Sequence, residues 1–155
     1  MDSALTDDRK AAAALMNVSR ETEQRLETLV NEVLRWQPVK NLVSRHALPF
    51  LWTRHVADSL QLLALEPGAR RWLDLGAGAG FPGLVIAAAK AGDPGFHIDL
   101  VESNSRKCAF MREAARLMGV KAGVHHGRIE DAIGELAGRV DVVSARALAP
   151  LPQLV

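Results

Sequence analysis

The sequence predicts one α/β domain, a parallel sheet wound with helices and preceded by a helical extension. Two observations carry that prediction. After Gly68, short apolar runs of strand length alternate with amphipathic runs of helix length. Before it, apolar residues recur only at helical spacing, and Pro67-Gly68 separates the two regimes. A chain of 155 residues suits one domain with a sizeable core better than two. The expected division is a helical N-terminal extension over residues 1–67 and an α/β domain over residues 68–155.

Each element has a local reason. A weak helical pattern covers residues 7–16. Residues 19–36 are stronger: Leu26, Leu29, Val30, Val33 and Leu34 recur at helical spacing, and Glu21 and Glu23 sit where the helix dipole favours them. Pro38 is expected to end this helix. A further helix is expected over 48–65, with Pro49 in its first turn and Pro67-Gly68 as its stop. Residues 71–75 read as a short buried strand, followed by a helix over 82–90 and a Gly92-Asp93-Pro94-Gly95 turn. A second strand is expected over 96–101, then a helix over 105–118 that stops at Gly119. Residues 122–125, 130–136 and 140–145 continue the alternation as strand, helix and strand. A wound sheet normally continues past this point, so the ending PLPQLV leads to the expectation of a sheet truncated after strand four, or one that borrows its remaining strands.

Composition narrows the classes of function. Nineteen Lys and Arg face 18 Asp and Glu, so net charge does not point to nucleic acid and only the distribution of charge can. The lone cysteine, Cys108, excludes an internal disulfide framework, suits a reducing compartment and reads as a core residue in mid-helix. The N-terminus carries acids where a signal peptide needs a basic region, and its apolar run is too short to span a bilayer. A cytoplasmic location is expected. His125 and His126 are adjacent on a strand and point to opposite faces, so they do not share an ion, and no metal is expected.

The chemistry concentrates in residues 72–83, WLDLGAGAGFPG. Gly78, Gly80 and Gly83 match a dinucleotide-binding pattern, but the turn itself begins two residues earlier, at Gly76. Asp74, at the strand end, would repel a pyrophosphate and attract a sulfonium or an ammonium. Glu102 ends the second strand, where an acid accepts both ribose hydroxyls of an adenosine; NAD and S-adenosylmethionine sites share that feature. Ile129, Glu130 and Asp131 follow the third strand and are placed to contact an adenine ring, although a loop acid capping the next helix explains them as well. A P-loop is excluded, because no Gly-Lys-Ser/Thr follows the turn.

LDLGAGAGFPG resembles the glycine motif of the ribosomal RNA small-subunit methyltransferase G family, also called glucose-inhibited division protein B. Four further matches fall in the family's order: Trp36 with Lys40-Asn41-Leu42-Val43-Ser44, Arg54-His55-Val56-Ala57-Asp58-Ser59, Val101-Glu102-Ser103, and Val143-Ser144-Ala145-Arg146-Ala147. The resemblance covers about residues 20–155. It implies a Rossmann-like S-adenosylmethionine-dependent methyltransferase fold. It also implies methyl transfer from S-adenosylmethionine to N7 of one guanine in small-subunit (16S) ribosomal RNA. By motif position, Gly76, Phe81, Ile129, Glu130 and Arg146 are implied as cofactor contacts, joining Asp74, Gly78, Gly80 and Glu102. Family members continue with three more strands, which is where this sequence departs.

A ring-nitrogen acceptor fits the remaining residues. N7 of guanine has an in-plane lone pair and no proton, so alignment matters more than a general base. The loop after strand four, SARALAP, lacks the Pro-Pro of enzymes that methylate exocyclic amines, and Cys108 is misplaced for carbon methylation. Small acceptors with an accessible lone pair survive the same elimination. Arg146 is expected to hold the cofactor carboxylate or to donate to O6 or a phosphate near the target; a surface ion pair with Asp141 is the other reading. His55 and Asp58, about one helical turn apart, are expected to pair and line the cleft, or to form a purely structural bond. RNA contacts are expected from Lys40, Asn41, Arg45 and Arg54, in an acid-free stretch with Trp36, Phe50 and Trp52 interleaved, and from Lys107. Trp36 and Trp52 read as packed inward. The expected partner is small-subunit ribosomal RNA or a ribosomal particle, with no membrane, and the expected state of a complete chain is monomeric. The rivals are an NAD-dependent oxidoreductase and a truncated cofactor- or RNA-binding module without turnover.

Overall fold

The computed structural model describes residues 3–145. Its sheet contains β1 (Arg71–Leu75), β2 (His97–Glu102), β3 (Gly123–His126) and β4 (Val142–Ala145) in the spatial order β3-β2-β1-β4. All three pairings are parallel, so every connection crosses over. The helices α4 (Gly83–Ala89), α5 (Ser105–Met118) and α6 (Ile129–Leu136) lie in those connections. The order reverses at β1, with β2 on one side and β4 on the other. In such sheets a ligand crevice forms outside the carboxyl ends of the strands at that reversal.

Both faces of β1 and β2 carry buried apolar residues because both are covered. Trp72, Ile98 and Leu100 join the main core with Val85, Ile86, Phe110 and Met111. Leu73, Leu75 and Val101 face the other way, against Ile129, Ala132 and Leu136. α5 opens on Asn104, whose side chain accepts from the amides of Arg106 (2.9 Å) and Lys107 (3.1 Å). It closes at Gly119 in the left-handed region, φ 72°, as expected. Cys108 is fully buried, and burial pushes its thiol pKa up, as a core cysteine requires.

The front departs from expectation in three places. The first helix, α1 (Ser3–Ala13), begins earlier and is tied down, with Arg9 bidentate to Glu27 at 3.1 and 3.0 Å and stacked over Trp52 at 5.1 Å. The next, α2 (Arg20–Lys40), runs through Pro38 instead of ending there. A proline inside a helix costs about 3 kcal/mol, but this one sits in the last turn. Asn41 closes the helix behind it at φ 47°, its amide bonded to the Gln37 carbonyl at 3.0 Å. The segment expected as one α-helix over 48–65 is a 3-10 turn (Leu48–Phe50), a π-helical run (Leu51–Ala57) and then α3 (Asp58–Leu65). The buried Asp8 carboxylate accepts from the amides of Trp52 (2.8 Å) and Thr53 (3.2 Å) at the start of the π run. Trp52 is buried and Trp36 meets Phe110 edge-on at 5.6 Å, so both pack inward as expected. One buried cluster runs from Leu5 to Met118, so the extension and the sheet share a core. Among the described residues, no helix is long and apolar enough to cross a membrane.

Candidate functional site

Backbone conformation shapes the turn after β1. Gly76, Gly78 and Gly80 all have positive φ. Gly80 is the most constrained: φ is 89°, and a Cβ there would meet the Leu84 side chain at 2.6 Å. The turn is pinned to the neighbouring strand by the Ala77 amide, which donates to the Val101 carbonyl at 3.0 Å. The Phe81-Pro82 peptide is cis.

Two acids at the ends of β1 and β2 hold this turn from different sides. Asp74 is 1% exposed. Its carboxylate accepts from the Gly83 amide (3.0 Å), at the start of α4, and from the Ser144 hydroxyl (2.8 Å), on β4. Ser144 in turn accepts from Trp72 Nε1 at 2.9 Å. Asp74 therefore clamps β1, β4 and the turn, and it lines neither of the cavities beside the glycines. A direct contact between Asp74 and a cationic ligand is expected from the sequence; in the structure the carboxylate meets the two cavities through the turn that it holds. Gly83 allows the clamp, because a Cβ there would collide with Leu100 and with the Asp74 carboxylate.

Glu102 faces the open space. Its Oε1 accepts from the Gly78 amide at 2.9 Å and its Oε2 from the Asn104 amide at 2.8 Å. Each oxygen keeps a further lone pair. Two cavities share Gly76 and Glu102 in their walls. One, of about 460 Å³, is bounded by Gly78, Phe81, His55, Lys107 and the loop residues Leu42, Val43, Ser44 and Ala47. The other, of about 700 Å³, is bounded by Ser103, His126, Arg128, Ile129, Glu130 and Asp131. Both fall within the usual size of a small-molecule site.

The predicted site residues thus divide. Gly76, Gly78, Phe81, Glu102, Ile129, Glu130, His55 and Lys107 gather around these two spaces, while Gly80 shapes the turn without lining them. The expected pairing of His55 with Asp58 does not form. His55 stacks on Phe81 with ring centroids 5.0 Å apart, whereas Asp58 is exposed and lines a different cavity with Pro82 and Ser144. The π-helical winding at His55, in place of the regular turn assumed, changes the offset between the two. Asn41 and Arg45 border a separate hollow with Gln37 and Leu48, and Lys40 is half-buried at the end of α2. Arg54 lies over the Phe50 ring at 4.6 Å. Arg146 lies outside the described residues. Sequence reasoning missed Ser144 as part of the Asp74 clamp and the 42–47 loop as a cavity wall. The Val143-Ser144-Ala145 match was a signal for the first, and the Leu42-Val43-Ser44 part of the Lys40–Ser44 match for the second.

Sheet order, glycine turn and strand-end acid define the class: this is the Rossmann-like fold of S-adenosylmethionine-dependent methyltransferases. A solved O-methyltransferase from Bacillus cereus in complex with SAH superposes with a TM-score of 0.54 at 18% identity, covering 77% of this chain and 54% of that one. The family is fixed by sequence. The model described as GidB, rRNA small subunit methyltransferase G, matches residues 22–155, and the chain belongs to that family. Ribosomal RNA small subunit methyltransferase G of Methylorubrum populi is 57% identical over 150 residues, which is 97% of this chain and 71% of that protein. Its counterpart in Methylobacterium nodulans is 58% identical over 149 residues, 96% of this chain and 70% of that protein.

Proposed function

We propose that the chain binds S-adenosylmethionine across the two cavities that meet at Gly76 and Glu102, and methylates N7 of a guanine in small-subunit ribosomal RNA. The observation that carries the reading is Glu102. It is a nearly buried carboxylate with lone pairs left over, at the junction of two spaces sized for the two halves of an amino-acid nucleoside. Those lone pairs suit ribose hydroxyls, which donate; a phosphate in the same place would meet like charge. Ile129 and Glu130 are proposed to hold the adenine, and the Gly76–Gly80 turn to admit the methionine end.

When bound, the cofactor supplies an electrophilic methyl group that an in-plane ring nitrogen can accept without losing a proton. The chain's own work is then to align the two reactants and exclude water. His55, stacked on Phe81, and Arg146 are proposed to orient the acceptor base, with Asp58 acting from the neighbouring cavity. Arg45, exposed on the loop beside the cofactor cavity, Lys40 and Asn41 at the end of α2, Arg54 on Phe50, and Lys107 inside the cavity are proposed as RNA contacts. A cytoplasmic location follows from that substrate.

The test is transfer of a labelled methyl group to small subunits lacking the modification, with the modified base mapped. Label at a guanine N7 is the expected result. Absence of transfer, or label at an exocyclic amine, would refute the reading.

A further inference from the structure

Gln37 carries no charge, belongs to no motif and is far in sequence from the glycine turn. Yet its side-chain amide spans the exit of α2. Nε2 donates to the Val43 carbonyl at 2.7 Å and to Asn41 Oδ1 at 3.2 Å, and Oε1 accepts from the Val43 amide at 3.0 Å. Bonding both the N–H and the C=O of one residue is what a neighbouring strand does in a ladder. The side chain therefore replaces a strand partner for a stretch of loop that has none. The two bonds also fix which end of the amide is which, since a flipped amide would set donor against donor.

The gripped segment is the outer wall of the cavity beside the turn. Leu42, Val43, Ser44 and Ala47 line it together with Gly76, Gly78 and Glu102. We propose that Gln37 is a positioning residue for cofactor binding, holding the 42–47 loop against the glycine turn so that the cavity keeps its wall before a ligand arrives. The proposal rests on the cofactor reading above. Loss of the grip frees the loop without unfolding the helix, because α2 is anchored through Leu26, Leu29, Val30 and Val33. The cost then falls on binding, which must order the loop anew.

The experiment is calorimetric titration of S-adenosylhomocysteine into the full chain, with a thermal melt of each sample. For Gln37→Ala the expected result is about tenfold weaker binding, with Tm within about 3 °C of the parent. Gln37→Glu keeps the acceptor for the Val43 amide but turns a carboxylate towards the Val43 carbonyl. It should bind weakly at neutral pH and recover as the pH falls through the carboxylate range, where the protonated acid donates again. The parent should show no such recovery. Unchanged affinity in Gln37→Ala, or a lowered Tm with unchanged affinity, overturns the proposal and leaves the cofactor reading standing. Should Gln37→Ala fail to fold, Gln37→Glu decides: recovery at low pH supports the proposal and its absence overturns it. If the parent itself binds no S-adenosylhomocysteine, the cofactor reading falls, and the proposal with it.

Discussion

The carboxyl ends of β1 and β2 look alike in sequence and do different work. Each carries a buried acid within its last two residues, beside the glycine turn, and each acid accepts a hydrogen bond from a glycine amide, Asp74 from Gly83 and Glu102 from Gly78. Asp74 spends its second oxygen on Ser144 and is sealed from solvent. Glu102 bonds two amides and still borders both cavities. Position at a strand end therefore does not settle whether an acid serves the ligand or the protein. What settles it is the face of the turn on which the side chain lies.

Substitutions separate the two roles, and the largest effect is expected at β1. Asp74→Ala strands the buried Gly83 N–H and takes the acceptor from the half-buried Ser144 O–H. At about 1–3 kcal/mol for each lost partner, stability should fall by about 3 kcal/mol, and the Tm by roughly 10 °C. A melt that stays within about 2 °C of the parent would show that Asp74 is not a clamp. At β2, Glu102→Gln keeps an oxygen for the Gly78 amide, turns an NH2 towards the amide of the exposed Asn104, which water can serve instead, and loses a charged acceptor, so binding should suffer more than the fold.

The smallest effect concerns the other end of the sheet, at the start of β1 and just before β4. Asp141 accepts from the amides of Arg70 (2.8 Å) and Arg71 (3.0 Å), and those backbone bonds hold its pKa below the ordinary value. Its contribution to stability is complete above the unfolded value of about 4 and is lost as the pH falls towards the folded one. Melts across that window should show a slightly steeper acid loss for the parent than for Asp141→Asn. Parallel curves would remove Asp141 from the account.

Much of this arrangement is legible from residues alone, because local rules produce it. Gly119 stops α5, the 71–75 strand has the expected bounds, and the glycine turn sits between strand and helix. The family's motif leads to the expectation that the turn and Glu102 form a nucleoside site. Partnerships made by folding are less visible. Asp8 finds Trp52 from 44 positions away and Ser144 finds Asp74 from 70, and neither residue belongs to a spacing rule. The same holds for the continuation of α2 past Pro38, which depends on Asn41 taking a left-handed conformation and on Gln37 gripping the next loop. The surroundings of a side chain are the other hidden quantity: sequence places Asp74 and Glu102 near the same turn but does not say which one borders the open space.

The most direct measurement is the affinity of Glu102→Gln for S-adenosylhomocysteine, with its Tm read on the same sample. Loss of a charged acceptor for hydroxyl donors is worth about 1.5–3 kcal/mol, so binding should weaken by roughly 10- to 100-fold. The Tm should stay within about 3 °C of the parent. Parental affinity in the folded variant would contradict the account, since it would mean that Glu102 serves the protein and not the ligand.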